Sequence, residues 1–186
     1  KECDYVFFFN SNMEFKKVVT PEMFLPTAED NGLLGVLHPG HYYKHNPISL
    51  PYEKRKRSTA YIKYTKGETY HYFMGGVNGG THEAFYRLSH VCSAQTKKDL
   101  DNHCMAIYHD ESHLNRYFHN KKIKILPPSF GFPEGGNIPF EPYIIIRNKM
   151  KHGGKYFDKL PTTAYVQRIK RRIKELYRNI LWILNF

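Results

Sequence analysis

His109-Asp110-Glu111-Ser112-His113-Leu114-Asn115 gathers two carboxylates, two imidazoles, a hydroxyl and an amide into seven consecutive positions. Just before it lies a short apolar stretch, Met105-Ala106-Ile107-Tyr108, and within and after it Leu114, Tyr117 and Phe118 recur at helical i, i+3, i+4 spacing. The pattern predicts a strand that ends in the cluster and turns into a helix. An α/β sheet commonly places acids at the mouth of a site in this way. Acids and hydroxyls at a helix start also satisfy its free amides, so the run taken alone is equally readable as a solvated helix cap.

Outward from this run, the chain alternates strand and helix signals. Asp4 to Phe15 reads as an apolar strand closed by the polar turn Asn10-Ser11-Asn12, and Asn31 to His41 as a strand over Gly32 to Leu37 leading into the tight turn His38-Pro39-Gly40. Residues 43–58 are rich in Pro, Lys and Arg and read as a loop. Strand signals return at Ser58 to Tyr64 and Tyr70 to Met74, running into a glycine turn over Gly75 to Gly80. Thr81 then caps a helix with Ala84, Phe85, Leu88, Val91 and Cys92 on one face, reaching towards Asn102. Ile123 to Leu126 is a further short strand, and the Pro- and Gly-rich stretch from Pro127 to Pro142 is irregular. The order implies an α/β fold with a mostly parallel or mixed sheet flanked by helices.

The 186 residues, 41% hydrophobic and 16% aromatic, suit a globular unit with a real core. Twenty-eight basic against 17 acidic residues leave a formal charge of +11, which favours anionic partners such as phosphorylated small molecules, nucleic acid or an anionic membrane. No nucleic-acid-binding module is visible, so nucleic acid is not expected as a partner. Cys3, Cys92 and Cys104 form an odd set without metal-site spacing, and free thiols are expected. His109 and His113 lack the Glu-x-x-His arrangement of hydrolytic zinc helices. No stretch approaches the ~20 apolar residues of a membrane span. The sequence opens on Lys1 and almost at once on a strand, from which a natural protein that continues upstream is expected.

The tail reads differently, and the chain divides into residues 1–160 and a basic amphipathic C-terminal helix over 161–186. Between Arg168 and Arg178 six basic residues face one acid, Glu175, while Ile169, Ile173, Leu176, Ile180 and Leu184 keep helical spacing. Such a basic amphipathic helix suits an anionic membrane surface, which implies a cytoplasmic protein seated peripherally on the inner face of the membrane. A terminal helix packed on its own domain, with a solvated charged face, gives the same pattern.

Several segments together resemble glycosyltransferase family 6, the blood-group A/B and α-1,3-galactosyltransferase family. They are Phe8 to Phe15, Leu37-His38-Pro39-Gly40, Tyr52-Glu53 with Ala60-Tyr61-Ile62, Tyr72 to Gly76 with Gly79-Gly80, and His109 to Asn115 followed by Arg116-Tyr117. The resemblance implies a GT-A type nucleotide-sugar transferase fold whose uridine-binding part lies upstream of this chain. It implies a retaining transferase that moves N-acetylgalactosamine or galactose from UDP to the 3-hydroxyl of a galactoside, often a fucosylated one.

The resemblance also assigns residues. Glu111 matches the catalytic carboxylate that faces the anomeric carbon. Asp110 matches a donor-sugar ligand, and Met74, Gly75 and Gly76 match the donor-binding strand. Gly76, lacking a side chain, leaves room for an acetamido group, whereas Met74 matches the galactose-type enzyme, so the expected donor is UDP-N-acetylgalactosamine with UDP-galactose as the alternative. His38, Tyr108 and Glu134 match acceptor-binding positions. Asn10 and Asn12 stand where animal members carry the Asp-x-Asp that holds Mn²⁺. Neutral amide oxygens are weak ligands for a hard dication, so a metal-free, bacterial-type enzyme without cofactor is expected. Lys149 and Lys155, with Arg147 and Lys151 as alternates, match the cations over the diphosphate, and Gly153-Gly154 would let that segment fold down. A catalytically idle glycan-binding relative is the other reading.

Overall fold

The glycine run of residues 75–80 lies inside a strand rather than a turn. In the computed structural model, which describes residues 3–44, 46–152 and 165–184 and the side chains of all but 165–171 among them, β4 runs unbroken from Phe73 to Thr81. The reason is steric. A Cβ on Gly79 would stand 2.4 Å from the Val6 carbonyl oxygen, and one on Gly80 would stand 2.0 Å from that of Gly32. Bare backbone here lets β1 (Tyr5–Phe9) and β3 (Leu33–Leu37) close on β4 from both sides.

The main sheet has the order β1-β4-β3-β5, with β5 at Lys124–Leu126. β1 and β3 run antiparallel to β4, and β3 runs parallel to β5. A second sheet joins β2 (Met13–Phe15), β7 (Ile144–Ile146) and β6 (Phe132–Pro133), so both sheets are mixed. The short helix α1 spans Pro21–Phe24. Helix α2, His82–Asp101, begins where expected, with the Thr81 hydroxyl accepting from the Ala84 amide. It packs with α3, His109–Phe118, on one face of the sheet through Ala84, Leu88, Leu114 and Phe118. Leu34, Val36, Met74, Val77, Leu126 and Ile144 form a second core between the sheets.

Two expected strands are absent. Residues 58–64 are irregular because their polar groups bond outside any ladder: the Ser58 hydroxyl and the Thr59 amide both bind the buried Asp99 carboxylate, at 2.5 and 2.6 Å. Met105 to Tyr108 is a turn, not a strand. Its backbone is held by side chains, with the Ile107 amide donating to Glu53 at 2.8 Å and Arg55 donating to the Met105 carbonyl at 2.6 Å. The 127–142 stretch, expected to be irregular throughout, contributes β6 and a short 3₁₀ turn at Pro128–Gly131.

Helix α4 spans Lys149–His152 and α5 spans Tyr165–Ile183. α5 is anchored by Trp182, which is buried against Tyr64 and Tyr70 and donates its indole N–H to the Ile62 carbonyl. Its Ile173, Leu176, Tyr177, Ile180, Ile183 and Leu184 remain exposed along one stripe. No helix among the described residues is long and apolar enough to cross a membrane. The three cysteines are free.

Candidate active site

Each residue of the 109–115 run has a separate task. The Ser112 hydroxyl accepts from the Tyr108 amide at 3.0 Å and closes the start of α3. Leu114 enters the core, and His113 is buried with its Nε2 3.8 Å from the Asp99 carboxylate. Asn115 clasps strand β4: its amide donates to the Phe73 carbonyl and its oxygen accepts from the Phe73 N–H, both at 2.8 Å. Asn115 also donates to the Glu111 carbonyl at 2.9 Å, which ties Glu111 and α3 to the start of β4.

The Glu111 carboxylate accepts from the Tyr72 hydroxyl through one oxygen and from the Gly75 N–H through the other, each at 2.7 Å. A carboxylate offers about four acceptor positions, so two remain free for a ligand. Burial pushes the Tyr72 hydroxyl far above its ordinary pKa, with Glu111 adding to the shift, so Tyr72 remains a donor. Gly75 suits this proximity: a Cβ there would meet the Glu111 side chain at 3.3 Å, and Glu111 would have to give by a few tenths of an ångström. Tyr72 was legible only as a strand residue; its polar partner lies 39 positions away.

Around Glu111 the structure brings together several expected residues. Asn10 donates its backbone N–H to the Gly76 carbonyl at 3.0 Å. The tips of Asn10, Met13 and Met74 crowd the place a Gly76 Cβ would take, at 2.9 to 3.0 Å. The space above Gly76 is therefore closed by two flexible methionines and an amide, and is not an open hole. Asp110 is exposed and lines a recess with Phe8, Gly75 and Asn78.

His38 stands on the other side of Tyr72, with ring centroids 5.8 Å apart, and its Nδ1 accepts from the Gly40 N–H at 3.0 Å. A neutral His38 then carries its proton on Nε2 and can donate it to a hydroxyl. Burial lowers its pKa, which favours that neutral form. Tyr108 is 45% exposed, offering its ring as a platform.

Asn12 belongs to a neighbouring open cavity of about 750 Å³, lined also by Met13, Glu14, Arg147, Lys149 and His152. Its amide donates to the Arg147 carbonyl at 2.7 Å, leaving the Asn12 Oδ1 buried without a partner. Glu14, the carboxylate of this cavity, is paired with Lys16 and Arg147. A neutral amide and a committed carboxylate are a poor donor set for a hard dication. Arg147 is thus occupied, whereas Lys149 is exposed.

Glu134, expected on the acceptor side, is bonded to residues of the 147–152 segment. Its carboxylate accepts from the Asn148 N–H at 2.6 Å and meets His152 at 3.1 Å and Arg147 at 3.5 Å. The Asn148 amide, with help from His152 and Arg147, lowers its pKa to about 2. It is a latch that holds residues 147–152. Lys155 and Gly153-Gly154 lie outside the described residues.

Sequence reasoning quoted Glu53 without giving it a task. It is 1% exposed and accepts from Arg55 Nε at 2.8 Å and from the Arg55 and Ile107 amides at 2.9 and 2.8 Å. The Glu53–Arg55 pair thereby positions the turn that delivers Tyr108 and Glu111. The one available signal was a single carboxylate beside the basic run Lys54-Arg55-Lys56-Arg57.

The sequence model of glycosyltransferase family 6 matches residues 1–144. The O-antigen biosynthesis glycosyltransferase WbnI of Escherichia coli is 37% identical over 145 residues, 78% of this chain and 59% of that protein. The histo-blood group ABO system transferase 2 of Rattus norvegicus is 35% identical over 130 residues, covering 69% of this chain and 36% of its own length. The human globoside alpha-1,3-N-acetylgalactosaminyltransferase 1 is 35% identical over 131 residues, covering 70% and 35%. The chain thus spans between about a third and three fifths of the curated relatives it matches.

Proposed function

The chain belongs to glycosyltransferase family 6, and on that premise we propose that the whole protein is a retaining hexosyltransferase. It moves N-acetylgalactosamine, or galactose as the second choice, from a UDP donor in α-1,3 linkage to a galactoside, fucosylated in the favoured case. The observation that supports this most directly is Glu111, held by Tyr72 and Gly75 with a free acceptor position on each oxygen.

Glu111 faces the anomeric carbon on the side opposite UDP, where positive charge grows as the bond to the phosphate oxygen breaks and the bond to the acceptor oxygen forms. A fixed carboxylate stabilises that charge without reorganising at the moment of reaction. Asp110 and the Met74–Gly76 edge take the donor sugar, and His38 and Tyr108 take the acceptor through one donated hydrogen bond and one apolar ring face. Asn10, Asn12, Lys149 and Lys155 serve the diphosphate. The charge of the leaving UDP is met by ammonium groups rather than a metal, which the donor set at Asn12 and Glu14 supports. The exposed apolar stripe of α5 and the basic residues beside it support a peripheral seat on an anionic membrane surface.

The experiment is Glu111→Gln in the full-length protein. Transfer should fall by about 10²–10³-fold with UDP affinity nearly intact by calorimetry. A near wild-type rate removes Glu111 from the chemistry.

A further inference from the structure

Between α5, residues 51–54 and the turn before α3 lies a cleft of about 420 Å³ that the site above does not use. Its walls carry three cations, Lys54, Lys174 and Arg178, against one carboxylate, Glu175. Tyr108 forms another wall, three residues from Glu111. We propose that this cleft binds an anionic group, a phosphate or a carboxylate, carried by the acceptor beyond the sugar that is glycosylated. This rests on the assignment of Tyr108 to the acceptor side.

The cations are arranged for an incoming anion. Lys54 is fixed in place: its ammonium donates to the Ile48 carbonyl at 2.9 Å and to Asn179 Oδ1 at 2.5 Å, and lies 5.1 Å from the centroid of the Trp182 ring. An ammonium has three N–H donors, so one is left over. Burial lowers its pKa to about 8, Glu175 partly offsets this, and Arg178 lowers it further. Neither Lys174 nor Arg178 has a hydrogen bond or ion pair among the described residues. A half-enclosed cleft with two unspent cations and a third held at fixed position is electrostatically incomplete. An oxyanion completes it, and an Arg fork suits phosphate or carboxylate geometry. A neutral glycan would leave that excess of positive charge uncompensated.

Two measurements on the full-length protein test the assignment. In calorimetry, inorganic phosphate and glucuronate are titrated separately into protein saturated with UDP, which fills the diphosphate site, and into the Arg178→Gln variant under the same conditions, where binding to the cleft should be lost. Tighter phosphate binding points to a phosphate-bearing acceptor and tighter glucuronate binding to an acidic sugar, and either supports the cleft. In kinetics, galactosides with and without an anionic substituent are compared. The anionic acceptor should show a KM about tenfold below its neutral counterpart. Arg178→Gln should collapse that ratio, and Glu175→Gln should widen it. Opposite signs from neighbouring residues on one helix are not what a merely structural role produces. Absence of binding by both anions, or equal KM values for the two acceptors, overturns the proposal. Because the titration needs no transfer, anion binding without any glycosyl transfer would instead count against the proposed function.

Discussion

The Glu111 carboxylate takes its hydrogen bonds from residues outside its own helix, and the smallest neighbours matter most to it. Gly75 brings a backbone N–H to 2.7 Å of the carboxylate, and Gly76 lets Asn10, Met13 and Met74 close over the adjoining surface. Gly76→Ala would push against those tips. Methionine adapts its shape, so the protein should fold, but overpacking commonly costs ~1–3 kcal/mol. A donor that enters by displacing those tips would then find less room, most of all for an acetamido group, so preference should shift from UDP-N-acetylgalactosamine towards UDP-galactose; an unchanged donor ratio in a competition assay refutes the steric assignment. Asn10 and Asn12 supply no carboxylate, so activity of the full-length protein should persist in EDTA, and strict Mn²⁺ dependence would overturn the metal-free reading. Most of these residues were legible in the sequence, since the 109–115 run concentrates its polar groups in one place. Tyr72 and Glu53 were not, because their partners are distant in the chain and only the fold reveals them.

At the level of elements, hydrophobic periodicity located β1, β3, α2 and α3, whose apolar faces repeat cleanly. It failed at Met105–Tyr108, where four residues without a breaker look like a strand but are hydrogen-bonded by Glu53 and Arg55. It failed again at Gly75–Gly80, since a close approach of two neighbouring strands leaves the same trace as a turn. The terminal helix is amphipathic as expected, yet it meets the body through Trp182 and leaves its Ile173–Leu184 stripe outward. Vesicles containing anionic lipid should therefore capture the protein, with salt weakening the contact as counter-charges are screened. Ile173→Glu with Ile180→Glu should abolish capture in a sedimentation assay. Equal sedimentation of wild type and variant, or concentration-dependent dimerisation in place of capture, would refute the membrane reading.

Over the whole molecule, burial lowers the pKa of His38, His41, His71, His113 and His119, with His41 brought to about 4. In the unfolded chain these imidazoles titrate near ~6.5. Between those values the unfolded state binds more protons than the folded one, so stability rises with pH through this window and is level above it. Thermal unfolding should accordingly shift to lower temperature as pH falls from about 6.5 towards 4. The lowered carboxylates Glu14, Glu53, Asp99 and Glu134 add their own loss only in more acid solution. A midpoint that stays level from neutral pH to below 5 would contradict the burial of these rings.

Trp182 is the chain's single tryptophan, and it sits among Tyr64, Tyr70 and Lys54 at the contact between the last helix and the rest of the protein. Its emission is consequently a private optical channel for that one joint. A red shift or a loss of energy transfer from the tyrosines reports undocking there, without any label and without interference from the sheet.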